Sequence, residues 1–271
     1  TMNVIVITGA SSGMGREFAL QLDRGLKTID EFWLIARRAD RMKELSGHMR
    51  HRVKILPLDL TAEGDISLFG EVLQEERPKI RMLVNCAGYG LIGDFSALSA
   101  QEQAGEVMLN CRALMEITHA CLPYMKEKSR IIQLASSAAF LPQPGFAVYA
   151  ATKAFVLSFS RALREELKER GIFVTAVCPG PVQTEFFDVA ERYGSVLGIK
   201  KYVMAQPERV VRSALAASCK NRPMSVYGPA MNAFWLMTRL LPQDPVLHLT
   251  YRMKKKGECR CADPGKDCQT E

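Results

Sequence analysis

The sequence is short of the marks that direct a chain into a membrane, an oxidising compartment or a complex with nucleic acid. No uninterrupted apolar run approaches the roughly 20 residues that cross a bilayer. The most apolar late stretch, Ala230 to Leu241, is broken by Asn232 and Arg239. Met2 reads as the natural start behind Thr1, and Asn3 to Thr8 lack the basic start and cleavage site of a secretory leader. There is no internal repeat, no flexible linker before about residue 255, and no nucleic-acid motif beside the basic residues. These absences predict a soluble, cytoplasmic protein without a nucleic-acid partner.

Paired cysteines are also scarce. Cys86, Cys111, Cys121, Cys178 and Cys219 stand singly in apolar segments, the usual setting of reduced core thiols. Cys259, Cys261 and Cys268 lie in a polar tail, where a structural zinc site would want four ligands at paired spacings. No metal is expected, and 256–271 reads as a mobile tail.

What is present is a basic excess, a regular alternation of elements and a glycine loop. The net charge of +7 is concentrated at Arg37, Arg38, Arg41, Lys43, Arg50, Arg52 and Lys54, with a second cluster at Arg252 and Lys254 to Lys256. Such an excess can mean nucleic acid, a membrane or an anionic small ligand, and no nucleic-acid motif accompanies either cluster. Short aliphatic runs at Val4–Ile7, Phe32–Ile35, Lys54–Pro57, Met82–Val84, Arg130–Leu134 and Phe173–Val177 lack polar alternation, as buried parallel strands do. Helical patterns lie between them at Met14–Leu22, Glu63–Glu76, Ala100–Met125 and Val148–Arg170. Strand–helix alternation of this kind predicts an α/β fold, a parallel sheet with helices on both faces, in a single domain over 1–255.

Directly after the first strand, "TGASSGMG" at Thr8 to Gly15 leads into a helix. Gly9, Gly13 and Gly15 permit a tight turn and close backbone approach to a pyrophosphate, and the helix start offers free N–H donors. Further along come "NCAG" at Asn85 to Gly88, Asn110, "ASS" at 135 to 137, "YAATK" at 149 to 153 and "PGPVQT" at Pro179 to Thr184. As an ordered set over residues 3 to 185 these motifs resemble the short-chain dehydrogenase/reductase family, with Cys86 in place of the family's second asparagine. The resemblance implies a Rossmann-type doubly wound sheet and a nicotinamide cofactor. It places Gly9, Ser11, Ser12, Gly13, Met14, Gly15, Leu60, Asn85, Ala87, Gly88, Pro179, Gly180 and Val182 around that cofactor, and Thr184 at the nicotinamide carboxamide. Asp59 matches the position that meets the adenine edge, or else caps the following helix; Thr184 could likewise be a plain cap before Glu185.

The second strand ends "LIARR". An acid there would grip the 2′-hydroxyl of NAD, but Ala36 fills the place and Arg37 and Arg38 follow, as a 2′-phosphate prefers. NADP(H) is therefore the expected cofactor, with Ser11 and Ser12 as further donors. Reduction of a ketone also needs a proton, and Tyr149 with Lys153 one helical turn on can provide a phenol and an ammonium that lowers its pKa. Within the family these are the acid and its helper, with Asn110 in a kinked helix and a serine beside the substrate oxygen. Ser136 lies thirteen residues before Tyr149 and Ser137 twelve; the family's interval of thirteen selects Ser136.

The region after Thr184 should cover the substrate. Phe186, Phe187, Val189, Tyr193, Val196, Leu197, Ile199, Tyr202, Val203 and Met204 make it apolar, with Gly194 and Gly198 as hinges. "SSAAFLPQPGFAVYAATKAF" is most similar to hydroxysteroid dehydrogenases and long-chain 3-ketoacyl reductases, which implies lipid metabolism and a steroid, bile-acid or 3-oxoacyl substrate. The segment Ala230–Met253 either packs within the protein or lies on an anionic membrane surface, and packing is the favoured reading. The resemblance further implies a homodimer or homotetramer paired through the helices at 100–125 and 148–170. The rival reading is a nucleotide sensor or scaffold that has lost catalysis, but such proteins commonly lose the tyrosine or the lysine.

Overall fold

The computed structural model describes residues 2–194, 204–248 and 251–252. Its strands are Asn3–Thr8 (β1), Glu31–Ala36 (β2), Arg52–Pro57 (β3), Lys79–Asn85 (β4), Met125–Leu134 (β5), Phe173–Val177 (β6) and Met224–Ser225 (β7). They form one parallel sheet in the order β3-β2-β1-β4-β5-β6-β7. The helices are Gly13–Gly25 (α1), Ala39–Ser46 (α2), Glu63–Glu76 (α3), Ala100–Val107 (α4), Leu114–Cys121 (α5), Ala147–Glu166 (α6), Phe186–Ala190 (α7), Pro207–Cys219 (α8) and Pro229–Leu240 (α9). Among the described residues no helix is long and apolar enough to cross a membrane.

The strands are apolar on both faces because both faces are covered. Val4, Val6, Trp33, Ile35, Leu83 and Ile131 pack with Phe69 of α3, Ile117 of α5 and Leu163 of α6. The alternate residues Ile5, Ile7, Phe32, Leu34, Val84 and Ile132 pack with Phe18 of α1, Met42 of α2 and Val211 of α8. The result is the Rossmann-type, three-layer arrangement that the strand–helix alternation predicts.

Two expected boundaries move. The helix expected over Ala100–Met125 is divided by a π-helical segment, Met108–Ala113, and ends in a 3₁₀ turn at Leu122–Tyr124, so that Met125 opens β5. Pro123 lies in that turn, where its ring ends the helical run. The helix expected over Val148–Arg170 stops at Glu166, and Gly171 turns the chain at a φ of +64°. The two-residue β7 and the helices α2, α7, α8 and α9 have no counterpart in the sequence reading; β7 is too short to show a period.

The site follows from one feature of the topology. β1 and β4 are neighbours although β2 and β3 lie between them in sequence, so the chain winds outward in both directions from their junction. Such a switch point leaves a crevice at the carboxyl ends of the strands. Thr8 closes its floor, its Oγ1 accepting the backbone N–H of Cys86 at 3.1 Å and of Ala87 at 3.2 Å.

Candidate active site

The glycine loop is shaped by contacts that exclude side chains. Gly9 has a φ of +67°, and a Cβ there would lie 2.7 Å from the Ala87 nitrogen. A Cβ on Gly15 would come within 2.2 Å of the Gly9 carbonyl oxygen. Ser12 sits at the N-cap of α1 without using its side chain as a cap, leaving first-turn N–H groups to an outside acceptor. A cradle this narrow, opening onto a helix start, fits a pyrophosphate.

At the outer end, Arg38 rather than Arg37 reaches the loop. Its Nη2 donates to Ser12 Oγ at 2.8 Å and to Ser11 Oγ at 3.2 Å, while Nη1 meets Glu185 at 2.9 Å. Arg41 meets the other oxygen of Glu185 at 2.8 Å. The Arg38 bond, joined by the charge of Arg38 and by Arg41, outweighs the opposing effect of burial and holds the Glu185 carboxyl below its ordinary range. Glu185 and Arg41 escaped sequence reasoning, because no local pattern connects residues about 145 apart. Arg37 lines the same cavity and acts electrostatically on Asp59. Asp59 accepts the Thr61 N–H at 3.0 Å and its hydroxyl at 2.7 Å, so it builds the turn before α3, whose N-cap is Ala62. Burial raises the Asp59 pKa, but the Thr61 bonds and Arg37 outweigh it and leave it lowered.

The inner end gathers the residues expected at the reacting centre. Tyr149 and Lys153 are both buried on one face of α6. Lys153 Nζ donates to the Leu134 carbonyl at 2.8 Å and stands 5.6 Å from the centre of the Tyr149 ring. Ser136, not Ser137, acts on the Tyr149 phenol and lowers its pKa against burial, and its Oγ accepts the Ala138 N–H at 3.1 Å. The Ser137 N–H donates to the Pro179 carbonyl at 2.8 Å. Asn110 lies within the π-helical segment, its Oδ1 accepting Tyr89 N–H at 3.1 Å and its Nδ2 donating to Tyr89 O at 2.8 Å and Thr152 Oγ1 at 3.0 Å. The Thr152 hydroxyl donates to the carbonyl of Tyr149 at 2.8 Å, so Asn110 is tied to the tyrosine through one residue. Gly88 fills the space between Asn110 and Lys153; a Cβ would lie 2.7 Å from Asn110 Oδ1 and 3.4 Å from Lys153 Nζ.

The electrostatics correct one expectation. Lys153 was expected to lower the Tyr149 pKa, but burial dominates and raises it, with Ser136 opposing and Glu106 adding to the rise. Burial pushes Lys153 down to about 8. Burial therefore keeps the phenol protonated and weakens the ammonium.

One cavity of about 1280 Å³ runs from the glycine loop past Tyr149, with Met14, Leu60, Gly180, Val182 and Thr184 in its wall. Thr184 lies 3.3 Å from where a Gly13 Cβ would be, and α7 takes Glu185 as its N-cap, so Thr184 is not the cap. Beyond Tyr149 the wall is apolar: Phe146 stacks on the tyrosine at 4.2 Å, Phe186 tilts against it at 5.3 Å, and Leu91, Leu141 and Phe234 continue it. From the segment after Thr184, Phe186, Phe187, Val189 and Arg192 line the cavity, and the segment is tied by Ile92 N–H to Ala190 O at 2.8 Å and Tyr193 OH to Glu102 at 2.8 Å. Val196, Leu197, Gly198, Ile199, Tyr202 and Val203, like the basic cluster 254–256 and the tail cysteines, lie outside the described residues. The apolar segment from Ala230 packs inward through Phe234 and Trp235.

Asn85 and Cys219 depart from their expected places. Asn85 does not line the cavity; its Nδ2 donates to Thr118 Oγ1 and Gln133 Oε1, both at 3.0 Å, bracing β4 against α5 and β5. Cys219, expected in the core, is exposed at the end of α8.

A doubly wound sheet, a pyrophosphate cradle at its switch point and a buried Tyr–Lys pair with Ser136 beside it define an oxidoreductase of the nicotinamide-dependent class. The chain matches the short chain dehydrogenase family over residues 3–192 and belongs to it. It is 35% identical to sulfoacetaldehyde reductase 2 of Chromohalobacter salexigens, covering 68% of this chain and 74% of the relative. A short-chain dehydrogenase from Sphingobium yanoikuyae, solved in complex with NADPH, superposes with a TM-score of 0.74 at 25% identity, covering 100% of this chain and 99% of that one. The bulky-bulky ketone specific alcohol dehydrogenase from Comamonas testosteroni gives 0.68 at 26%, covering 99% and 96%.

Proposed function

We propose that the chain is an NADP(H)-dependent oxidoreductase interconverting a ketone and a secondary alcohol on a hydrophobic substrate, a steroid or bile acid or a 3-oxoacyl chain. The observation that carries this reading is that Ser136, Tyr149 and Lys153 line the apolar end of one cavity, with Lys153 Nζ 5.6 Å from the centre of the Tyr149 ring, while its other end is the glycine loop and Arg38. Gly9, Ser11 to Gly15, Arg37, Arg38, Asp59, Leu60, Ala87, Gly88 and Pro179 to Thr184 would hold the cofactor, with Asn85 bracing the strand beneath. When bound, the nicotinamide supplies hydride in reduction or takes it in oxidation.

The chain's own residues manage the oxygen and the proton. Ser136 holds the substrate oxygen beside Tyr149, and the phenol, kept neutral by burial, donates its proton to the carbonyl oxygen during reduction. Lys153 faces the Tyr149 ring and stabilises the phenolate left behind. Asn110 fixes α6 against the loop after β4 and so holds the pair in register. Phe146, Phe186 and Phe234 exclude water and favour an apolar ketone, and the similarity to the bulky-bulky ketone specific alcohol dehydrogenase of Comamonas supports a ketone substrate. We assign this chemistry to one catalytic domain over 1–255, in a homo-oligomer pairing through α4, α5 and α6, where Val107, Met115 and Phe155 are exposed.

The test is a panel of ketones and secondary alcohols, including steroids, bile acids and acyl thioesters, with NADPH and NADP⁺ and followed at the nicotinamide absorbance. Turnover is expected, and Tyr149→Phe should abolish it while leaving cofactor binding nearly intact. Nucleotide binding with no turnover across the panel would favour a sensor instead, and substantial activity in Tyr149→Phe would remove the tyrosine from its role.

A further inference from the structure

Glu106 is wholly buried, yet nothing in the chemistry above uses it. It lies on α4 four residues before Asn110. Its Oε1 accepts the Leu91 N–H at 2.6 Å, and its Oε2 has no partner. A carboxyl removed from water with one oxygen unpaired is costly where a leucine or methionine would pack freely. Anchoring Leu91 needs only an acceptor, so it accounts for one oxygen and not for an acid.

The surroundings supply a use for the charge. Lys153 and Tyr149 of α6 and Tyr89 of the loop after β4 are the titratable groups on which Glu106 acts. Burial pushes Glu106 up to about 7, against the Leu91 N–H and Lys153, which lower it. Three thiols also face Lys153, but burial holds Cys86 and Cys178 at about 12 and Cys111 at about 11, so they are uncharged near neutrality. Among the described residues Glu106 is thus the acid that can face Lys153 as an anion while the pair works.

The same side chain shapes the wall. Leu91 is buried and lines the cavity, and the next residue, Ile92, is tied to α7. Asn110 clasps Tyr89 at both backbone atoms and Glu106 clasps Leu91, so one helical run fastens the whole Tyr89–Leu91 stretch.

We propose that Glu106 is a positioning residue for the reaction: it fixes Leu91 in the substrate wall and its negative charge keeps Lys153 an ammonium beside Tyr149. The inference rests on the Tyr149–Lys153 reading given above. A carboxylate raises the pKa of a neighbouring lysine, so removing it lets Lys153 lose its proton at lower pH.

Glu106→Gln keeps an acceptor for Leu91 and removes the charge; Glu106→Leu removes both. With Glu106→Gln the alkaline limb of the kcat profile for ketone reduction should move down by about half a pH unit or more, with KM within about twofold of wild type. Glu106→Leu should also raise KM, by about fivefold or more, as Leu91 is released. A Glu106→Gln profile superimposable on wild type overturns the proposal, and if Tyr149→Phe is inactive in the same assay, it overturns this alone. A second measurement needs neither variant nor turnover: in the intact wild-type protein the infrared C=O band of a protonated carboxyl should vanish with a midpoint near neutrality. A carboxyl band that persists above about pH 8, where the alkaline limb is read, overturns the proposal as well, because Glu106 then carries no charge.

Discussion

Replacing Arg38 with alanine should cost the chain its hold on a 2′-phosphate and leave the rest of the nucleotide site in place. The guanidinium already spans Ser11 and Ser12, with Nη1 on Glu185 at 2.9 Å, so its donors converge on the spot where an anion would sit. A charge-assisted contact of this type is worth ~1.5–3 kcal/mol, which is about 10- to 150-fold in KM for NADPH. NADH carries no phosphate there, and its KM should change by less than about threefold. Glu185 sharpens the test because it occupies the arginines first. Its pairs with Arg38 and Arg41 join side chains 41–45% exposed, so each is worth only ~0.2–1 kcal/mol after solvent screening. Glu185→Ala should therefore tighten NADPH by about 2- to 30-fold, the opposite direction from Arg38→Ala. Steady-state KM values for both cofactors, at saturating ketone and fixed ionic strength, read the outcome directly. Equal losses for NADPH and NADH in Arg38→Ala, or a wild-type preference for NADH, would refute the reasoning.

Gly15→Ala should abolish nucleotide binding and lower stability by ~1–3 kcal/mol or more, because its Cβ would fall 2.2 Å from a backbone oxygen that cannot swing away. Gly70→Ala, the same change in α3 with open space at the Cβ, should instead raise stability by ~1 kcal/mol; calorimetry on both variants checks the contrast. The buried Asp23 carboxylate accepts the Arg50 N–H at 3.0 Å and His51 through its N–H at 3.0 Å and Nδ1 at 2.8 Å. Burial opposes ionisation, but the His51 and Arg50 bonds outweigh it and leave the pKa lowered. A depressed carboxyl contributes stability above its unfolded-state value and loses it as pH falls through the folded value. Asp23→Asn should thus be ~1–3 kcal/mol less stable in urea at pH 7 and should converge with wild type in acid. Equal stability at neutrality would remove Asp23 from that role.

The sequence by itself determined whatever depends on short range. The glycine loop was legible because Gly9, Gly13 and Gly15 permit a backbone path that other residues block, and a strand and a helix flank it. Six strands were legible because doubly covered strands are continuously apolar, and the Tyr149–Lys153 pair because one helical turn fixes its geometry. Tertiary structure decided the rest. Both Ser136 and Ser137 line the cavity, and it set Ser136, at the N-cap of the 3₁₀ turn, as the one that acts on Tyr149. It sent Arg38 to the loop and brought Glu185 across to meet it, and it buried Glu106 with one oxygen on the Leu91 N–H and the other without a partner. It also reversed the expected shift of Tyr149, because desolvation depends on everything packed around a side chain and on nothing written beside it in the chain.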